Sequence, residues 1–552
     1  MELLNKLVAL QEQHGAVTDE ALQRLARQEG VPLHRLEGLR GFYPVLRSRP
    51  ARGRRLRVCR DIACAMAGGE DFCDRVAAAL DGADGGDGVE LEPASCLGRC
   101  DAAPAATVDD VPVTGTAEQI AAFAGGAAPL PPDRSPPATR QWPTDPYPDP
   151  EARYGTLRAR LGPGGGADGA REAVVEALKS SGLRGMGGAG FPTGLKWELT
   201  AQAAGGPKTV ICNADESEPG TFKDRLILAE LPHLIIEAMA LAGWVAGAGR
   251  GIVYLRHEYG REKRALLAAL DHARQIGALG DSVFGGGFSF DITVFVSPGG
   301  YILGEETALL EALEDRRGEP RNKPPFPTVA GLWGKPTLIN NVETFAAVPA
   351  ILHHGADWWA AQGVGEYKGL KFLSVSGDVA NPGVYCVPMG TTVAELLKQC
   401  GGVPGGAKLA AFAPGGASSN FLPAARQDVA LDFQALQAAG SMLGSGAVIF
   451  VAAGRDLVEL AANEVRFFRN ESCGKCVPCR VGSQKAVIML ERALAGEPPP
   501  NLIATLQELG ETLAKTSICG LGQVALQPVL SVIDQFPDLA AQRLGGAARG
   551  SK

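Results

Sequence analysis

Four cysteines towards the end of the chain are spaced to hold a redox cluster. Cys473, Cys476 and Cys479 form a Cys-x2-Cys-x2-Cys run, and Cys519 stands alone beyond them. Three thiolates on one tight turn, with a distant fourth, suit a cubane [4Fe–4S] cluster. A second set, Cys59-x4-Cys64 with Cys96-x3-Cys100, lies near the beginning. Its paired spacing suits the smaller [2Fe–2S] cluster, in which two ligands approach each iron. Such clusters carry one electron at a time, so the chain reads as an electron-transfer protein. The other four of the twelve cysteines, Cys73, Cys212, Cys386 and Cys400, are scattered and read as small buried hydrophobes. A secreted disulfide scaffold would not cluster its cysteines this way, which points to the reducing cytoplasm.

Between the two sets lies the glycine-rich run from Gly182 to Trp197, GLRGMGGAGFPTGLKW. Glycines let a backbone approach a phosphate and donate N–H groups to it. Arg184 and Lys196 would neutralise its charge. Asn213, Asp215, Glu216 and Glu218 follow a strand-like KTVICNAD, where open α/β sheets bind ligands. Two further groups fit the same pocket: GGYILGEET from Gly299 to Thr307, and NNVET from Asn340 to Thr344. Any one of these carboxylates alone would read as a helix cap or a solvated face. Together, after successive strands, they read as a binding site. Two one-electron centres flanking a nucleotide site suggest a flavin between them.

The elements that must position these residues divide the chain into several domains, as its 552 residues require. Residues 1–124 begin with amphipathic helices over 1–46, then alternate strand, cysteine loop and helix, which predicts a small α/β module. Residues 125–150 are dense in proline and glycine, so 125–153 reads as an extended, semi-rigid linker. From 154 to 365 strands and helices alternate, which predicts a parallel α/β sheet. Residues 366–453 place one helix among four or five short strands, a β-grasp-like pattern; 454–542 read as helical, and 543–552 as a flexible tail.

A net charge of −8 and sparse aromatics give no reason to expect nucleic acid. The apolar stretch Leu234–Gly249 contains Glu237 and is too short to span a bilayer. The arginines at 47, 49, 52, 54, 55 and 57 have two readings, a solvated connector and a docking patch for an acidic partner face.

The runs RGMGGAGFPTGLKW, NADESEPGTFKDR, GGYILGEETALLEALE, RNKPPFPTVAGLWGKPTLINNVET, ESCGKCVPCRVGSQKA and SICGLGQVA resemble the NADH-oxidising flavoprotein subunit of respiratory complex I and its relatives. The first 120 residues, with LRGFYPVLR, CRDIAC and ASCLGRCDAAPA, resemble the thioredoxin-like [2Fe–2S] subunit of the same machines, fused here into one chain. The resemblance implies a multidomain α/β protein: a thioredoxin-like [2Fe–2S] domain, a Rossmann-like FMN and NADH domain, a β-grasp (ubiquitin-like) domain and a helical [4Fe–4S] bundle. It places FMN against Arg184, Gly185, Gly187, Gly188 and Lys196, with Asn213, Asp215 and Glu216 along its ribityl chain and ring edge. Gly304, Glu305, Asn340, Asn341 and Thr344 would close the flavin site. NADH would stack on the flavin with its adenine between Phe191 and Phe326, and Tyr301, Glu218, Glu306 and Lys323 at its nicotinamide half and hydroxyls. Met186 stands where relatives often have arginine, which should loosen phosphate contacts.

Glu218 and Glu306 would position NADH; hydride transfer needs close stacking and no acid–base residue. Carboxylates near the ribose hydroxyls would repel a 2′-phosphate, which favours NAD(H). The [4Fe–4S] cluster at Cys473, Cys476, Cys479 and Cys519 would be the exit to a partner, and the [2Fe–2S] cluster at Cys59, Cys64, Cys96 and Cys100 would hold the second electron briefly. No site for a second substrate is evident, so a metal-containing partner subunit is expected. The fused arrangement and the APGGASSNFLPA…DVALDF segment most resemble the β subunit of molybdenum- or tungsten-pterin NAD-dependent formate dehydrogenases. The diaphorase subunit of NAD-linked [NiFe] hydrogenases comes second and a fused complex I subunit third. A non-catalytic relay or scaffold is the contrasting class.

Overall fold

The computed structural model describes residues 2–81, 88–129, 141–163 and 168–545. The proline-dense 130–140 and the tail from 546 lie outside the described residues.

Three helices open the chain, Glu2–His14, Asp19–Glu29 and Leu33–Phe42. Thr18 caps the second by accepting from Ala21 N, and Gly30 closes it at φ 63°. Their apolar faces share a core with Ile302, Leu309 and Leu313 of the central domain. Asp315 accepts from Leu4 N at 2.9 Å, and Tyr43 donates to the Arg316 carbonyl at 2.5 Å.

The first sheet comprises β1 (Arg54–Cys59), β2 (Val89–Ala94), β3 (Ala106–Val108) and β4 (Val111–Val113), in the order β2-β1-β3-β4. β1 and β2 are parallel; the other pairs are antiparallel. Leu56 and Val58 point inwards against Phe72, Val76 and Ile120. Arg55 and Arg57 alternate with these, and they, Arg47 and Arg54 are spent on the chain's own carboxylates. Arg47 pairs with Glu90 at 2.8 Å, Arg54 with Asp109 at 2.9 Å, Arg55 with Glu92 at 3.2 Å and Arg57 with Asp110 at 3.3 Å. Four of the six charges are compensated within the fold, and of the six only Arg49 and Arg52 lie in exposed positions, which favours the solvated-connector reading over the docking patch.

The central sheet is wholly parallel: β5 (Thr209–Ala214), β6 (Arg250–Leu255), β7 (Asp291–Val296) and β8 (Thr337–Asn341), in the order β7-β6-β5-β8. β5 is buried almost throughout, as a parallel strand covered on both faces must be. β8 gives no strand signal in the sequence because Thr-Leu-Ile-Asn-Asn is short and ends in two polar residues. The helix Pro232–Ala246 is buried nearly all round and is the core helix of this domain. Among the described residues no single helix is long and apolar enough to cross a membrane.

The linker reading needs amending at its end. Trp142 and Tyr147 are buried, Trp142 Nε1 donates to Glu230 at 2.6 Å, and Tyr147 Oη donates to the buried Glu237 at 2.8 Å. Apolar rings interspersed among the prolines anchor this segment to the central domain.

The third sheet comprises β9 (Leu370–Gly377), β10 (Gly383–Pro388), β11 (Leu409–Ala413), β12 (Leu422–Pro423) and β13 (Ala447–Ala452), in the order β10-β9-β13-β11-β12. β9 and β13 pair in parallel at its centre. Its helix Val393–Gln399 starts at a Thr392–Glu395 capping box. Helices Leu457–Glu471, Val477–Leu494, Leu502–Thr516, Gly520–Val524, Gln527–Gln535 and Pro537–Leu544 complete the chain.

Candidate functional site

The glycine loop is fixed at both ends. Arg184 and Pro192 form an isolated bridge, Gly185 N donates to the Phe191 carbonyl at 2.8 Å, and Met186 N donates to Thr344 Oγ1 at 2.8 Å. A Cβ on Gly187 would stand 2.9 Å from Asn341 Cβ, and Gly188 holds φ +124°, so side chains are excluded here. Gly304 faces the Asp215 carbonyl, which a Cβ would approach to 3.1 Å. The result is a side-chain-free cradle with cationic flanks, which fits a flavin phosphate. Arg184 braces it by donating to the Gly190 carbonyl at 2.6 Å and lying over Phe433. Lys196 donates to the Ile339 carbonyl at 3.1 Å and lies 3.8 Å from Glu306; burial lowers its pKa. The Met186 side chain is itself buried and packs inwards.

The strand ends bring the expected polar groups together. Asn213 Nδ2 donates to the Gly304 carbonyl at 2.9 Å, and Asn340 Oδ1 accepts from Trp197 Nε1 at 3.2 Å. Asn341 caps the helix Val342–His354 and donates to Asp224 at 2.6 Å. Asp215 accepts from Ser217 and Ser297, and burial pushes its carboxyl up to about 6. Glu216 is spent within the chain: it accepts from Asp224 N, Arg225 N and Tyr259 Oη at 2.8, 3.0 and 2.7 Å. Glu305 likewise caps the helix Glu306–Leu313 and accepts from Lys323 at 3.0 Å. Both therefore brace the walls around the glycine loop with oxygens already engaged within the chain.

Glu306 lies 3.4 Å from Lys323 and 3.8 Å from Lys196, beside the glycine loop's cationic flank. Glu218 accepts from Tyr301 Oη at 2.6 Å and from Ser418 N at 2.7 Å, and burial raises its pKa. Ser418 comes from the third-sheet domain, a contact that no motif foretells. Phe191 and Phe326 are exposed, at 40% and 55%, as rings awaiting a planar partner would be.

Cys473, Cys476, Cys479 and Cys519 line one small pocket together with Ile302, Pro320 and Leu521. Burial pushes the thiols of Cys479 and Cys519 up to about 11, so a bound cationic core is what would keep them as thiolates. The other set is fully enclosed: Cys59, Cys64, Cys96 and Cys100 are all buried, and the sulfurs of Cys96 and Cys100 lie 3.5 Å apart. Ala105 N donates to Cys64 Sγ and Gly98 N to Cys96 Sγ, both at 3.4 Å. Among the described residues no group of His, Cys, Asp or Glu converges on a single-ion site. The four thiols of the later set line one pocket and those of the earlier set are buried together, a soft-ligand lining that fits an iron–sulfur core.

Glu471 joins the three sites. It accepts from Ser95 Oγ, next to Cys96, at 2.5 Å, and from Tyr301 N at 2.9 Å, and it stands two residues before Cys473. Its position inside the ESCGKC run was the available signal. Glu464, on the same helix, is buried beside Glu218 and Asp61, and burial raises its carboxyl well above the usual range. No motif points to it.

Comparison with known proteins agrees with this geometry. Residues 178–350 match the Nuo51 FMN-binding domain, 459–543 the NADH-ubiquinone oxidoreductase-F iron-sulfur binding region, 1–122 the thioredoxin-like [2Fe-2S] ferredoxin, and 372–421 the SLBB domain. The chain is 43% identical to an NADH-quinone oxidoreductase subunit of Rhizobium meliloti over 69% of its own length and 90% of that protein's. It is 43% identical to the NADP-reducing hydrogenase subunit HndC of Solidesulfovibrio fructosivorans over 66% of its own length and 74% of the relative's. A chain of an NAD+-reducing [NiFe]-hydrogenase in the H2-reduced state superposes with a TM-score of 0.85 at 32% identity, covering 98% of this chain and 92% of that one.

Proposed function

The chain belongs to the NADH-oxidising flavoprotein family of the NADH-quinone oxidoreductases, with a thioredoxin-like [2Fe–2S] unit fused ahead of it, and we propose that it is the diaphorase subunit of an NAD-dependent formate dehydrogenase. The observation that carries its electron-exchange role is a pair of adjacent residues. Tyr301 donates to Glu218 in the candidate dinucleotide pocket, and Ile302 lines the four-cysteine pocket. Tyr301 and Ile302 are consecutive, so the wall of one candidate site continues into the wall of the other.

FMN, when bound, converts a two-electron hydride into single electrons. The chain's own residues prepare this. The Arg184–Gly190 cradle receives the phosphate, Lys196 supplies charge at the wall, and Asn213, Asn340, Asn341 and Thr344 fix the elements around the ring. Phe191 and Phe326 offer faces for an adenine. Glu218, with Tyr301 and Ser418 fixing both its oxygens, orients the nicotinamide half, assisted by Glu306 and Lys323. Cys473, Cys476, Cys479 and Cys519 would hold the [4Fe–4S] cluster and Cys59, Cys64, Cys96 and Cys100 the [2Fe–2S] cluster. Eight cluster ligands and four further cysteines outside any disulfide suit the reducing cytoplasm.

The partner would hold a molybdenum- or tungsten-pterin site with iron–sulfur centres, a reading supported by the resemblance of the 413–433 segment; the fused arrangement is common to both readings. The near-complete likeness to an NAD+-reducing [NiFe]-hydrogenase chain favours a second reading, in which the donor is hydrogen. Purification of the complex from its host separates them. Formate-driven NADH formation with molybdenum or tungsten present supports the first; hydrogen-driven NADH formation with nickel overturns it in favour of the second.

A further inference from the structure

The loop carrying Cys96 and Cys100 is gripped by two buried guanidiniums from the central domain. Arg256, just beyond β6, is 4% exposed. Its two terminal nitrogens donate to the carbonyls of Cys96 and Glu216, and its Nε pairs with Glu258 at 2.9 Å. Arg225, in the helix Lys223–Glu230, donates to the Gly98 carbonyl and to Asp101 Oδ2, both at 2.7 Å. Gly98 holds φ +68°, and a Cβ there would stand 3.0 Å from Tyr259 Oη and 3.1 Å from Arg256 Nη1. The loop can approach this closely only as glycine.

Arginine stays charged at every accessible pH. Reduction of a thiolate-held cluster adds one negative charge to a site that water does not reach. Fixed positive charge and donors aimed at the ligand loop favour the reduced form, and raise the potential. Asp101 and Glu258 offset the two arginines in the intact protein, and Asp61 Oδ2 accepts from Cys96 N at 2.6 Å. Loss of either arginine would leave its carboxylate uncompensated beside the loop and disfavour the reduced form.

We propose that Arg225 and Arg256 are positioning residues for the [2Fe–2S] centre: they clamp the Cys96–Cys100 loop onto the flavin-binding domain and raise the cluster's reduction potential. The proposal rests on the assignment of Cys59, Cys64, Cys96 and Cys100 as the ligands. It makes the potential of this centre a property of docking between two domains, set by residues outside the thioredoxin-like fold.

The test is an EPR-monitored redox titration of the full chain with its clusters, comparing wild type with Arg256→Gln, Arg256→Lys and Arg225→Gln. The [2Fe–2S] midpoint should fall by at least about 59 mV in Arg256→Gln, a tenfold change in the one-electron equilibrium. It should fall in the same direction in Arg225→Gln and be largely retained in Arg256→Lys, while the [4Fe–4S] midpoint stays put. Unchanged [2Fe–2S] midpoints in both glutamine variants, with one such cluster per chain by spin count, overturn the proposal. If Arg256→Gln loses the cluster, Arg225→Gln decides through the neighbouring carbonyl. A Cys96→Ser chain that keeps a wild-type [2Fe–2S] signal overturns the ligand assignment instead.

Discussion

The two cysteine sets differ in how they meet solvent. Cys473, Cys476 and Cys519 are half-buried, and only Cys479 of that set is enclosed. Cys59, Cys64, Cys96 and Cys100 are all buried, and their second loop lies under Arg225 and Arg256. A centre that passes electrons to another protein must lie near a surface, because transfer falls steeply with distance. A centre that only stores an electron gains from enclosure, since a dry, charged surrounding fixes its potential. On the proposed reading, this difference in burial suits a through-route at the later set and a reservoir at the earlier one.

The largest expected effect tests the through-route. Cys476→Ser should abolish the [4Fe–4S] signal and bring partner-linked turnover to background while the [2Fe–2S] signal persists. Loss of the [2Fe–2S] signal instead would dissolve the distinction between the two sites.

The enclosed side should be the more sensitive to pH. Burial pushes the carboxyls of Glu216, beneath the [2Fe–2S] loop, and Glu237, beneath Tyr147, up from 4.5 to about 7. A carboxyl raised in the folded state carries no penalty below its unfolded pKa. Folding stability is lost as pH rises from about 4.5 through about 7, with a slope on the order of 1.4 kcal/mol per pH unit for each group. Thermal unfolding followed by circular dichroism should show a falling Tm across this window, and hydrogen exchange should report earlier opening at 95–101 than at 472–479. Equal protection of the two loops at every pH would count against the comparison.

Gly187→Val tests the cradle between the two sites. Its side chain would push into Asn341, at a cost of about 2 kcal/mol, roughly thirtyfold in FMN affinity by fluorescence titration. Tyr301→Phe is smaller. Removal of one donor to Glu218 costs about 1 kcal/mol and raises that carboxyl's pKa further. The KM for NADH should rise roughly fivefold, most at low pH, with kcat less affected. The smallest effect belongs to Arg49→Ala with Arg52→Ala, where stability should change by no more than about 0.5 kcal/mol. A loss of partner association in this variant would favour the docking-patch reading, against which the ion pairs of Arg47, Arg54, Arg55 and Arg57 weigh.

The sequence alone determined the chemistry. Cysteine spacing is a local property, so both cluster sites were legible as ligand sets. So was the glycine loop, because phosphate approach demands missing side chains over consecutive residues. Hydrophobic period was enough for the parallel strands β5, β6 and β7, and too weak for β8, whose polar end is explained only by Asn340 meeting Trp197 and Asn341 meeting Asp224. Tertiary structure alone decided which sites communicate. Glu471 reaches Ser95, which is 376 residues away, and Arg256 reaches Cys96 across 160. Such contacts leave no periodic or spacing signal, since each residue taken by itself would serve equally well on a solvated surface. They arise where separately folded units bury polar groups against one another, and a buried donor or acceptor must find a partner wherever the chain supplies one.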